Sequence, residues 1–261
     1  MRTILICHAD DLLTRESMSR WLASFSELAG IVIIHEPRAR MKKRIAREIE
    51  RIGRWRFLDV IAWRLYSRLF LAHRERRWQQ HILARLSQRF APAPVGTPVL
   101  NVESPNSDSC REFIAAARPD MIIARCKTLL RKEIFALPAH GTWVMHPGIC
   151  PEYRNAHGCF WALASNDDSN VGMTLLRIDE GIDTGPVYGY FRYSIDPLRD
   201  TPTMINHQVV LENLDALRDR LVDIIAGNAS PIDTRGRASA EWGQPWLSRY
   251  LRWQWRVRRQ Q

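Results

Sequence analysis

The first 34 residues restrict the fold more than any later stretch. Thr3–Cys7 is a short apolar run, Ile31–Ile34 is another, and Leu12–Leu28 between them repeats its apolar residues at helical spacing. A strand, a helix and a second strand in that order bury their apolar faces if the helix crosses over and the strands lie parallel. The expected fold class is therefore α/β: a mostly parallel twisted sheet flanked by helices. The turn after the first strand reads His8-Ala9-Asp10-Asp11. It lacks the glycines that bring backbone N–H groups to a pyrophosphate, so an NAD or ATP cradle is set aside.

Further strands are expected at Pro98–Val102, Met121–Ala124, Thr142–His146, Val171–Ile178 and Val187–Tyr193, and helices at Ser109–Ala117, Lys132–Leu137 and His157–Ala164. A last helix is expected from Pro202 to Ile225, stopped by Gly227-Asn228. Between Arg38 and Arg89 there are sixteen Lys and Arg against Glu48, Glu50, Asp59 and Glu75, a net +12 that exceeds the +10 of the whole chain. That segment is helical by its spacing, with Met41, Ile45, Ile49 and Ile52, then Leu58, Ile61, Leu65 and Leu69, and a break at Gly53. The division expected is a catalytic domain over 1–228, with 38–90 as a basic helical insertion, and a basic aromatic tail over 229–261. Residues 56–78 and 246–259 set Trp, Tyr and Phe among arginines, a pattern suited to an anionic membrane surface. The alternatives are a solvated helix face for the charges and core positions for the aromatic rings. Interleaved Arg and Trp also bind single-stranded nucleic acid, but no recognition motif accompanies them here.

No stretch reaches the ~20 uncharged apolar residues of a membrane span. His8, Asp10 and Asp11 cut the first apolar run too short for a secretory signal. Cys7, Cys110, Cys126, Cys150 and Cys159 fit neither a disulfide framework nor zinc-ligand spacing. A reducing, cytoplasmic location is expected, peripheral at the membrane if the basic helix docks there.

Chemistry concentrates in His146–Pro186. A strand delivers His146 to the sheet edge where open α/β sheets hold ligands, and Pro147 and Pro151 stiffen the loop behind it. Asp183 lies between Gly181 and Gly185 in a loop whose backbone can approach a ligand closely. A histidine and a carboxylate so placed suit proton transfer near neutral pH, though such a pair taken alone is more often structural. The wording around them narrows the choice. His146, Pro147, Pro151, Tyr153, Gly172, Thr174, Asp183, Gly185 and Pro186 stand in register with the pattern of the 10-formyltetrahydrofolate-dependent formyltransferases, which the stretch from about Pro119 to Tyr193 resembles.

The resemblance implies a Rossmann-like core and transfer of a formyl group from 10-formyltetrahydrofolate to an amine. His146 would stabilise or protonate the oxyanion of the tetrahedral intermediate. Asp183 would set the state of the histidine and help to remove the amine proton, through water. The pterin would be held by two loops, Arg125–Leu130 and Ile178–Asp183, with Thr128, Leu130, Ile178, Asp179 and Gly181 as contact residues. No metal is implied. In three places the sequence departs from the family: Val144 stands where the family has asparagine, Gly148 where it has serine and Cys150 where it has leucine. Losing an oxyanion donor costs about 2.7–4 kcal/mol, and Asn155 or His157 are the candidates to replace it. The acceptor implied is a small amine, with a nucleotide-linked amino sugar first because arginines suit its phosphates. Transfer RNA and glycinamide ribonucleotide rank lower, the first because family members acting on tRNA carry a further C-terminal β-domain. The rival readings are a formyltetrahydrofolate hydrolase and a non-catalytic folate- or membrane-binding relative.

Overall fold

The computed structural model describes residues 1–259. β1 (Arg2–His8), β2 (Glu27–Ile34), β3 (Val99–Val102), β4 (Met121–Arg125) and β5 (Thr142–His146) are mutually parallel. β6 (Arg154–Asn155) leaves this sheet, and β7 (Gly172–Arg177) and β8 (Val187–Arg192) extend it antiparallel to the order β3-β2-β1-β4-β5-β7-β8. The helices are α1 (Leu12–Ala23), α2 (Arg38–Ile52), α3 (Arg54–Tyr66), α4 (Ala72–Arg89), α5 (Asp108–Ala117), α6 (Lys132–Phe135), α7 (Gly158–Ala164), α8 (Pro202–Leu211), α9 (Leu214–Ile225) and α10 (Leu247–Arg259). This is the Rossmann-like α/β architecture expected.

Alternation along the strands decides which helices cover which face. Leu5, Cys7, Met121, Ile123, Trp143 and Met145 point into one core with Trp21, Leu86, Phe160, Val209 and Leu217. Ile4, Ile6, Val32, Ile122 and Ala124 point into a second with Cys110, Ile114 and Ile134. The order turns back at the β1–β4 pair, which has β2 and β3 on one side and β5 on the other. Such a reversal opens a crevice at the carboxyl ends of the strands, where His8, Arg125 and His146 end their strands.

Several elements differ from the sequence expectation. The first helix stops at Ala23, and Glu27–Gly30 join β2, because Arg2 and Thr3 of β1 pair with Glu27 and Leu28. The last helix is two, broken at Glu212-Asn213, where the Asn213 amide donates to the carbonyls of Val209 and Arg192. The basic segment divides at Gly53 (φ 80°) and again at a π-helical turn, Ser67–Leu71. Only α2 buries nothing; α4 lies on α1 and sends Ile82 and Leu86 into the core, while Arg85 and Arg89 pair with Glu212 and Asp215. Residues 229–259 do not trail away either. β9 (Glu241–Trp242) pairs with β6, and α10 buries Tyr250 and Trp253 against α3 and α7. Gln260 and Gln261 of the expected tail lie outside the described residues.

Candidate active site

His146 ends β5 buried, on the opposite face of the strand from Trp143 and Met145. Its Nδ1 lies 3.2 Å from Asp183 Oδ2, and its Nε2 lies 2.8 Å from the carbonyl oxygen of Tyr153. A carbonyl only accepts, so Nε2 carries the proton of that bond. Gly148 makes the approach feasible. A Cβ there would sit 2.5 Å from the Tyr153 carbonyl oxygen and 2.7 Å from His146 Nε2. The glycine in place of the family's serine and the inward seat of the imidazole are thus one feature.

Asp183 is fixed by backbone rather than by a cation. Its Oδ2 also accepts from the Asn155 N–H at 2.8 Å, and Arg154 Nη1 donates to the Ile182 carbonyl at 2.8 Å. Asp179 shapes the loop, accepting on Oδ1 from Gly181 N–H at 2.9 Å and from the Thr184 hydroxyl at 2.7 Å. Gly185 is obligatory for close approach, since a Cβ would lie 1.8 Å from the Arg177 carbonyl. Asp183, Asn155 and His157 all have positive φ (51°, 77° and 56°). Non-glycine residues in this region are uncommon and concentrate where function constrains the backbone.

The two candidate donors have different fates. The Asn155 amide is committed to Glu241 Oε1 (3.1 Å) and the Trp242 carbonyl (2.7 Å), so this residue meets Asp183 through its backbone alone. His157 Nδ1 accepts from the Asn206 amide nitrogen at 2.9 Å, which leaves the ring proton on Nε2. Burial, helped by Lys127 and Arg64, pushes the His157 pKa down to about 4. The ring is therefore neutral at pH 7 and keeps one free donor. Val144 shares the face of His146 and packs in a small cluster with Cys150, Leu176, Val187 and Tyr190, whose hydroxyl donates to the Cys150 carbonyl at 2.7 Å.

The two loops expected to hold a pterin are neighbours. Lys132 Nζ and Glu180 Oε1 are 3.6 Å apart, and Ile178 packs on the cluster that includes Leu130. The Thr128 hydroxyl is buried without a hydrogen-bond partner, an orphan that a bound polar group would satisfy.

Beside the pair lies a polar group that the sequence reading did not single out. The half-buried Arg125 ends β4, its guanidinium donating to the Met145 carbonyl at 3.1 Å, with Thr14 Oγ1 at 3.4 Å. Burial raises the Asp11 carboxyl, but His207, Arg125 and the hydrogen bonds from Thr14 outweigh it and hold it below the usual carboxylate value. His207 is pushed down to about 4 by burial, against the pull of Asp11. His8 is lowered by burial and by Lys127, whose backbone N–H donates to its Nε2 at 2.9 Å. The ends of the first and fourth strands were the available signal for His8, Asp11 and Arg125. Nothing in the sequence pattern marked Asn206 or His207, which reach the site from α8.

A Rossmann-like sheet with a His–Asp pair at the carboxyl edge of its parallel strands defines the class, an α/β protein with ionisable groups gathered at its switch point. The chain belongs to the formyl transferase family, whose model matches residues 72–221. The match begins at the first residue of α4, so it takes in part of the segment read as an insertion. Methionyl-tRNA formyltransferase of Thermus thermophilus is 31% identical over 145 residues, covering 52% of this chain and 44% of that protein. The Sorangium cellulosum methionyl-tRNA formyltransferase is 33% identical over 104 residues, covering 40% and 33%. The chain thus spans less than half the length of these relatives. Among solved structures, a sugar N-formyltransferase from Shewanella sp FDAARGOS_354 superposes with a TM-score of 0.55 at 15% identity, over 93% of this chain and 76% of that one. Phosphoribosylglycinamide formyltransferase from Anaplasma phagocytophilum gives 0.55 at 11% identity, over 94% and 99%. At such identities the likeness is one of fold.

Proposed function

We propose that this chain is an N-formyltransferase, moving a formyl group from 10-formyltetrahydrofolate to the amine of a small acceptor. The observation that carries the reading is the His146–Asp183 contact, in register with the family's motif and inside the matched segment. The attacking amine forms a C–N bond to the formyl carbon and the carbonyl electrons move to oxygen. Collapse of that intermediate breaks the bond to N10 of the folate, and the proton lost by the amine is returned to that nitrogen. In this reading Asp183, which accepts from the Asn155 N–H, takes the amine proton through water, and His146 stabilises the oxygen. His157 is our choice for the donor that replaces the family's asparagine. Its Nδ1 is occupied by Asn206 and its neutral ring holds the remaining proton on Nε2. The Arg125–Leu130 and Ile178–Asp183 loops would receive the pterin, with the Thr128 hydroxyl as one contact.

A nucleotide-linked amino sugar is the acceptor favoured. A cleft of about 260 Å³ beside β9 is bordered by Arg51, Arg56 and Arg249 together with Trp161, Trp242 and Trp246. These are the cations and ring faces that a nucleoside diphosphate takes. The test is transfer from 10-formyltetrahydrofolate to uridine-diphosphate amino sugars, read as the formamide product by mass spectrometry. Formate released without acceptor would indicate a hydrolase instead, and the absence of both products would refute the enzymatic reading.

One observation favours a second reading, a folate-binding relative without turnover: His146 Nε2 is already spent on the Tyr153 carbonyl, and Val144 offers no donor. Val144→Asn separates the two. A large gain in turnover would identify a crippled site, and a loss would identify chemistry adapted to valine.

A further inference from the structure

The helical segment leaves a surface that the candidate site does not use. On α3 and the π-helical turn, Trp55, Leu58, Ile61, Leu65 and Leu69 recur at three- and four-residue steps and are all exposed, Trp55 by 87% and Leu69 by 73%. A π-helical turn carries an extra residue relative to an α-turn and so re-phases the side chains after it. Phe70 accordingly follows Leu69 outward, 68% exposed, while Leu71 enters the core. α10 packs against α3, and its Leu251 and Trp255, four apart, are exposed as well. These residues are not core positions left loose. The inward side of α3 is already occupied by Val60 and Trp63, with Trp63 against Phe160 and Tyr250 at ring separations of 6.1 and 4.8 Å.

Charge indicates what covers the outward side. Arg54, Arg64 and Arg68 on the α3 segment and Arg252, Arg258 and Arg259 on α10 are exposed. Asp59 is the sole acid between residues 54 and 71, and it is taken by the Ser248 N–H and hydroxyl; 247–259 contains none. A second copy of the chain would bring arginines of the same sign against these, which is unfavourable. Large exposed apolar side chains with an arginine fringe, on two helices that pack together, suit the boundary between lipid headgroups and acyl chains. There the rings and leucines bury shallowly, and the guanidinium groups reach the phosphates. Among the described residues no helix is long and apolar enough to cross a membrane, so the contact would be one of surface.

We propose that α3, the π-helical turn and α10 form a docking face for a bilayer rich in anionic phospholipid. The purified chain would be sedimented with vesicles of phosphatidylglycerol and phosphatidylcholine, and with phosphatidylcholine alone, at low and high salt. Binding to the mixed vesicles that is weakened by salt, with little binding to phosphatidylcholine, is expected. Leu65→Ser/Leu69→Ser/Phe70→Ser should lower the vesicle affinity by at least about tenfold through lost apolar burial. Arg64→Glu/Arg68→Glu should lower it by a similar factor through charge. Both variants alter exposed side chains, and an unchanged thermal midpoint would show that they fold. Absent vesicle binding, equal binding by both variants and the parent, or a solution dimer that the serine variant dissolves would each overturn the proposal. None of these readouts depends on formyl transfer, so the two readings stand or fall separately.

Discussion

Gly148→Ala probes how tightly the histidine is seated. The new Cβ would stand 2.5 Å from the Tyr153 carbonyl oxygen, 2.7 Å from His146 Nε2 and 3.0 Å from Gly158 Cα. Two of those neighbours are backbone and cannot rotate aside. Reaching an ordinary contact of 3.4 Å requires the carbonyl to retreat by 3.4 − 2.5, or about 0.9 Å, which would break its 2.8 Å bond to His146. Overpacking of this kind costs about 1–3 kcal/mol. Leaving a buried hydrogen-bonding group unpaired adds about 1–3 kcal/mol. Stiffening the unfolded chain returns about 0.4–1 kcal/mol. A net loss of about 1–5 kcal/mol should lower the thermal midpoint by about 2–20 °C in a domain of this size. The assay is thermal unfolding by circular dichroism, paired with nitrogen NMR of the His146 ring, whose Nε2 signal should move. A variant as stable as the parent with an unshifted Nε2 signal would refute this account of the site.

The other expectations concern the pair, the C-terminal helix and pH. Asp183→Asn and His146→Ala should each reduce formyl transfer by about 10²–10⁴-fold while keeping the far-ultraviolet spectrum; near-normal turnover in either would discard the assigned roles. Trp253→Ala should cost about 3–5 kcal/mol in urea unfolding, because Trp253 is 2% exposed, and a negligible loss would mean that α10 is dispensable to the core. His157 and His207 have folded pKa values near 4 against 6.5 for the free side chain, so between those values the unfolded chain binds more protons. Their effect is therefore a stability that falls as pH drops from about 6.5 to about 4, by up to about 3 kcal/mol each. Asp11, whose folded pKa is depressed, acts in a separate window, losing its contribution only below its unfolded value. Urea midpoints measured from pH 7.5 to 4.5 should show the histidine slope, and His207→Gln should flatten it; a parent curve level across that range would contradict the buried, neutral histidines.

What the sequence determined by itself is local and periodic. The apolar run of Thr3–Cys7 and the helical spacing after Leu12 imply a parallel sheet because side-chain direction repeats with a fixed period along one element. His146 and Asp183 were legible because each sits in a short motif of prolines and glycines whose order is itself the signal. Glu27 and Leu28 read as the end of a helix until Arg2 and Thr3 of β1 paired with them, since cross-strand pairing overrides propensity. The Asn155 amide looked free to serve the site until Glu241 and Trp242, 86 and 87 residues on, claimed it. Arg125, Asp11, Asn206 and His207 come from three separate elements, so no window of sequence contains their electrostatics. The basic helices had one amphipathic pattern, and only packing divided them, sending Ile82 and Leu86 inward and leaving Leu65, Leu69 and Phe70 outside. Periodicity tells which residues share a face; burial depends on what the rest of the chain brings against that face, and that is settled in three dimensions.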